Sequence, residues 1–142
     1  MVVFVDGDVP CNVEGRRRVK SWLASLAKYH NRALGDLSIV SCSDKELLAY
    51  NRQYLDHDTY TDIITFDHTE GKTLSGDLLI SFDRVSENAE NHGVMFQEEL
   101  RRVMAHGVLH LAGFRDKTTE EEGAMRQAED HALQMFHVEH TG

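Results

Sequence analysis

Three side chains able to hold a metal ion stand close together late in the chain, in the segment His106-Gly-Val-Leu-His110-Leu-Ala-Gly113-Phe-Arg-Asp116. On a helix, positions i and i+4 differ by only about 40° around the axis, so His106 and His110 project from one face. Gly113 can take a backbone conformation that ends the helix and turns the chain back. That turn brings the Asp116 carboxylate toward the two imidazoles. Two imidazoles and a carboxylate, with a fourth position left for water, are the donor set of a catalytic zinc ion. The chemistry this predicts is metal-dependent hydrolysis, with Zn2+ held by His106, His110 and Asp116.

The glycine three residues after the second histidine also resembles the extended zinc motif of metzincin proteases, in which a glutamate follows the first histidine and serves as general base. Here that position is Gly107. Without the glutamate, such a protease would lose much of its acid–base catalysis, typically about 10²–10⁴-fold. Peptide hydrolysis is therefore the weaker expectation. No other base is identifiable. Asp62 and Asp77 sit at strand ends that border a cleft in principle, but capping a turn is the commoner task for each.

The elements that must position these residues are legible from periodicity. Residues 2–5 read as a strand, and 15–34 as an amphipathic helix with Val19, Trp22, Leu23, Leu26 and Ala27 on one stripe, ended by Gly35. Residues 37–42 alternate as a second strand. Ser43-Asp-Lys-Glu46 is a capping box opening a helix to about Leu55. A polar loop over 56–61 precedes a β-branched strand over 63–66, and 76–82 supplies a fourth. Helices are expected over 83–92, 97–112 and from Thr119 to about Phe136. On the helix over 97–112, Leu100, Val103, Met104, Gly107 and Leu111 form a stripe for the sheet, with His106 and His110 at its edge. Gly107 weakens a helix interior by about 1 kcal/mol relative to alanine, which implies a packing or access reason for it. Strands interleaved with helices give an α/β (α+β) class: one domain over 1–142, with one mixed four-stranded sheet and about five helices.

The 142 residues suit a single domain with a sizeable core, and no apolar run approaches the ~20 residues that span a bilayer. No signal peptide precedes the first strand. Cys11 and Cys42 give no disulfide framework and suit a reducing cytoplasm. The net charge of −9 is unevenly spread: residues 1–35 hold six basic and three acidic side chains, the remainder nine and 21. Arg16, Arg17, Arg18 and Lys20 crowd the first helix, either as a solvated surface or as a local phosphate-contacting face. His57, His68, His92, His131, His137 and His140 carry no assigned role. His137 and His140 read as part of a mobile tail. Tyr50, Tyr54 and Phe66 have core spacing, although aromatics of this kind can also stack bases.

Three blocks together resemble the signature of the YbeY family of endoribonucleases, also described as rRNA maturation factors. They are His106-Gly-Val-Leu-His-Leu-Ala-Gly-Phe, then Asn51-Arg-Gln-Tyr54 followed by Thr61-Asp62-Ile-Ile-Thr-Phe66, and Gly76-Asp77-Leu-Leu-Ile-Ser81. They span most of residues 36–117. The resemblance implies a cytoplasmic, metal-dependent, single-strand-specific endoribonuclease acting in 16S rRNA 3′-end maturation and ribosome quality control. Its expected partners are single-stranded and ribosomal RNA and ribosomal components, not DNA. It also implies zinc bound by three histidines, and here the chain departs, with Asp116 in the third place. Oxygen binds zinc at about the same distance, but the added negative charge makes a bound water less acidic and favours harder ions. Family members often carry an arginine where this chain has Leu55, so an RNA-binding cation is expected elsewhere, with Arg52 or Arg84 as the candidate; Arg115, beside Asp116, reads equally as a phosphate contact and as a plain surface arginine. Two other readings stay open: a zinc peptidase with its base supplied from another part of the fold, and a non-catalytic ribosome-associated factor with a structural metal.

Overall fold

Short runs of Val, Ile and Leu build a four-stranded sheet from β1 (Val2–Asp6), β2 (Ala33–Cys42), β3 (Ile63–Asp67) and β4 (Thr73–Ser81). The structure is a computed structural model and describes residues 1–55 and 61–141; the polar loop expected over 56–61 lies almost wholly outside the described residues. The strand order is β1-β2-β4-β3. β1, β2 and β4 run parallel, and β3 runs antiparallel to β4 at the far edge, with Ile64 opposite Leu79 and Phe66 opposite Asp77. The sheet is mixed, as expected.

Five helices complete the fold: α1 (Arg16–Tyr29), α2 (Asp44–Tyr54), α3 (Phe82–His92), α4 (Phe96–Leu111) and α5 (Thr119–Thr141). The sheet residues Leu37, Ile39, Leu78 and Ile80 join Trp22, Leu23, Leu100, Met104 and Val108 in the main core, while Cys42, Ile64 and Leu79 pack with Leu47 of α2 in a smaller one. Alternation along the strands assigns each residue to its side. Trp22 is fully buried and donates its indole N–H to the Ala132 carbonyl at 2.7 Å, tying α1 to α5. Phe136 packs edge-on against Trp22, and the guanidinium groups of Arg18 and Arg101 lie over its ring, 4.0 and 4.2 Å from the ring centre.

Three element ends differ from the periodicity reading. α1 stops at Tyr29 because Asn31 adopts φ 61, and the Asn31 and Arg32 amides donate to Lys28 and Ala27 carbonyls. This is the Schellman closure, made by asparagine instead of glycine. Gly35 falls inside β2, at an irregularity in the register with β4, where a Cβ would meet the Thr73 methyl at 2.8 Å. At the other end of the chain, α5 continues to Thr141, so His137 lies on a helix and not in a mobile tail. Among the described residues no helix is long and apolar enough to cross a membrane.

Gly107 has the packing reason its position implied. A Cβ there would stand 2.8 Å from both Leu78 methyls and 3.0 Å from Ile63, and Leu78 is fully buried. The absent side chain lets α4 lie directly on β3 and β4. Gly107→Glu, which would restore the peptidase-type glutamate, is therefore expected to unfold the chain and to confer no proteolysis. A carboxylate driven into this contact adds overpacking to an unpaired buried charge, together above about 4 kcal/mol. Circular dichroism of the purified variant checks it; a native-like spectrum and melting curve would show that α4 can lift from the sheet.

Candidate metal centre and active site

α4 carries His106 and His110 one turn apart, their ring centres 5.9 Å from each other. The helix ends at Leu111, one residue past His110, in a Schellman motif: Gly113 takes φ 107, its amide donates to the His110 carbonyl, and the Phe114 amide donates to the Leu109 carbonyl. The reversed chain then places an Asp116 carboxylate oxygen 3.3 Å from His106 Nε2. Thr118 and Glu121 hold the far side of this loop, Glu121 accepting from the Lys117 and Thr118 amides and the Thr118 hydroxyl accepting from the Glu121 amide. That is the capping box of α5. The loop is thus fixed by the end of one helix and the start of the next.

Both imidazoles are oriented from behind. His106 Nδ1 lies 2.7 Å from the buried Glu129 carboxylate, and His110 Nδ1 lies 2.8 Å from the Phe114 carbonyl. Oxygen acceptors at Nδ1 require the proton there, which leaves Nε2 of each ring to serve as a ligand. Metal-binding histidines are held in this way. Arg102 secures Glu129 in turn, at 3.1 Å, and Asp130 at 2.8 Å.

Two donors 2.0–2.1 Å from a tetrahedral ion stand about 3.3–3.4 Å apart, the separation seen between His106 Nε2 and Asp116. The electrostatics also suit a cation. Burial disfavours the imidazolium of His106, but the hydrogen bond and charge of Glu129, with the charges of Asp62 and Asp116, outweigh burial and hold its pKa above the ordinary histidine value. Among the described residues, no three His, Cys, Asp or Glu side chains close into a complete metal cage. The structure brings His106 and Asp116 together and leaves His110 facing the same cavity as both. The donor set of His106, His110 and Asp116 would fit a divalent ion.

That cavity, about 440 to 620 Å³ in its two adjoining parts, is bounded by α4, the loop after it and the outer strand β3. Asp62 lines it beside the histidines, and burial pushes its carboxyl above the usual carboxylate range against the pull of His106. Asp62 therefore faces the cleft, whereas Asp77 pairs with His68 at 3.1 Å and does not line it. Glu129 had no sequence signal except its i, i+3 and i+7 relation to Glu122 and Arg126 on a helix whose acidic residues look uniformly solvated. Arg84 is held by Asp44 at 3.1 Å, and neither it nor Arg52 lines the cavity. Of the basic residues of α1, Arg16 donates to the Cys11 carbonyl and lies over Phe4, Lys20 also lies by Phe4, and Arg18 lies over Phe136; none of the basic residues of α1 lines this cavity. His92 pairs with Glu99, His137 with Glu98, and His131 packs on Tyr29; His57 lies outside the described residues. Tyr50 and Phe66 pack on the smaller core, with Tyr54 stacked on Tyr50.

Comparison with known proteins places the chain in a family. The chain is 45% identical over 136 residues to an endoribonuclease YbeY of Christiangramia forsetii, covering 96% of this chain and 94% of the relative. It is 47% identical over 120 residues to the endoribonuclease YbeY of Bacteroides thetaiotaomicron, covering 84% and 88%. The solution structure of TM1509 from Thermotoga maritima superposes with a TM-score of 0.66 at 26% identity, covering 98% of this chain and 91% of that one. The family model for endoribonuclease YbeY matches residues 8–137, a span that begins just past β1, ends within α5 and takes in both histidines, the Asp116 loop and Glu129. The chain belongs to the YbeY endoribonuclease family.

Proposed function

We propose that this protein is a metal-dependent, single-strand-specific endoribonuclease that acts in 16S rRNA 3′-end maturation and ribosome quality control in the cytoplasm, with ribosomal RNA and ribosomal components as its partners. The observation that carries this reading is the family match over residues 8–137, laid over a cleft in which His106 Nε2 and Asp116 stand at the spacing of two zinc ligands. His106, His110 and Asp116 would hold one Zn2+. When bound, the ion supplies Lewis-acid stabilisation of charge on a phosphodiester.

The chain's own residues supply the rest. Glu129 and the Phe114 carbonyl hold the two imidazoles in one tautomer and orientation. Gly107 lets α4 settle onto the sheet so that β3 forms the opposite wall. Asp62 is the carboxyl that lines the cleft beside the histidines, and burial raises its pKa above the usual carboxylate range. The cavity beside the histidines lies between β3 and the Asp116 loop, and a single strand is the substrate proposed for it.

Incubation with a single-stranded ribosomal RNA fragment tests the reading. Zinc-loaded protein is expected to cut it, a chelator to stop the cutting, and added Zn2+ to restore it, while a duplex of the same sequence stays whole. Absence of cutting by zinc-loaded protein would shift the assignment to a ribosome-associated factor with a structural metal. Hydrolysis of casein instead of RNA would shift it to a peptidase.

A further inference from the structure

The cleft poses a charge problem. Asp62, Asp116 and Glu129 surround the histidines, the chain carries a net −9, and the proposed substrate is a polyanion. The cations that answer it are not those of α1. A cavity of about 440 Å³ on one side of Asp116 contains Arg115 and Lys117; the central cavity contains Lys117 again; and a third, about 290 Å³, on the other side of His106 contains Arg126. The three cavities share His106, His110 or Asp116 as common walls, so they form one groove through the candidate metal centre. Among the described residues none of the three cationic side chains has an ion-pair or hydrogen-bond partner, Lys117 being held only through its backbone amide. By contrast Arg84 and Arg102 are committed to carboxylates.

We infer that Arg126, Lys117 and Arg115 form a phosphate track that sets the path of single-stranded RNA through the cleft. Arg126 holds the backbone on the α5 side, Lys117 neutralises the phosphate at the metal centre, and Arg115 holds the backbone beyond it. The track also accounts for how a chain with Leu55 in place of the family's arginine supplies positive charge: the cations come from the loop that carries the third ligand, and from α5. This inference rests on the endoribonuclease reading for its substrate, but its test reads binding separately from cleavage.

Each phosphate contact on a single strand contributes about 0.7 to the slope of log Kd against log salt. Fluorescence anisotropy of a labelled single-stranded RNA, checked for integrity on a gel, gives that slope for the zinc-loaded protein. R126Q, K117Q and R115Q are each expected to make the slope shallower by about 0.7 and to weaken binding about four-fold at 0.15 M salt. The triple variant should lose about 2 from the slope, K117R should retain wild-type values, and R17Q on α1 should change nothing. A triple variant with the wild-type slope overturns the track, as does an R17Q slope that falls as far as K117Q. RNA cutting with unchanged slopes sinks the track alone. Binding with the expected slopes but no cutting by wild type keeps the track and removes the nuclease reading.

Discussion

His110→Ala is expected to reduce RNA cleavage by about 10³-fold or more while leaving the fold nearly intact. Charge stabilisation by a bound metal ion amounts to several kcal/mol, and each 1.36 kcal/mol is a factor of ten in rate. Losing one of three protein ligands forfeits most of that. The cost to folding is small by comparison, because His110 is exposed and its described hydrogen bond is the one to the Phe114 carbonyl. A single such bond contributes about 0.5–1.5 kcal/mol, a shift of a few degrees in Tm for a domain of this size. Zinc content, melting temperature and cleavage, measured on the same preparation, separate the readings. A metal with a purely structural role predicts a large fall in Tm with no cleavage to lose. Asp116→His supplies the family's usual third ligand and is expected to keep both zinc and cutting, whereas Asp116→Ala is expected to lose both. Full activity in His110→Ala would remove His110 from the ligand set.

The parts of this arrangement that the sequence exposed are those set by local periodicity and by turn chemistry. The i, i+4 histidines and Gly113 have one low-energy arrangement, a helix closed by a left-handed glycine, and the structure has it. The capping box at Ser43 is likewise local, its hydroxyl accepting from the Glu46 amide at 3.1 Å. Asn31 shows where local reasoning stops: asparagine can close a helix as glycine does, but only the competing pull of β2, which begins at Ala33, decides that it does so here. The antiparallel setting of β3 was hidden for the same reason. A five-residue strand opening on three β-branched residues reads alike in either direction, and its orientation follows from which edge of β4 is free. Lys117, too, gave no signal, because a lysine in a polar loop is ordinary until the loop folds back beside two histidines.

Glu129 is the residue whose role depended most on tertiary contacts, and its removal is the second large expected effect. Glu129→Ala strips His106 of its Nδ1 acceptor and Arg102 of one of its two carboxylates. The Glu129 side chain is only 11% exposed, with His106 and Arg102 at 22% and 25%, so the broken contacts are those of a buried pair, about 3–5 kcal/mol. Asp130 still holds Arg102, which places the loss toward the lower end of that range. Glu129→Gln separates stability from positioning. The amide oxygen still accepts from His106 Nδ1–H, but the charge that favours a cation at Nε2 is gone. Zinc affinity is then expected to fall about 10–100-fold, the usual consequence of losing a partner behind a ligating histidine, with a smaller change in Tm than in Glu129→Ala. Zinc competition against a chromophoric chelator gives the affinity. Were Glu129→Gln to bind zinc as tightly as wild type, the carboxylate would serve only to join α4 to α5, and the orientation of His106 would have to come from its packing against the sheet.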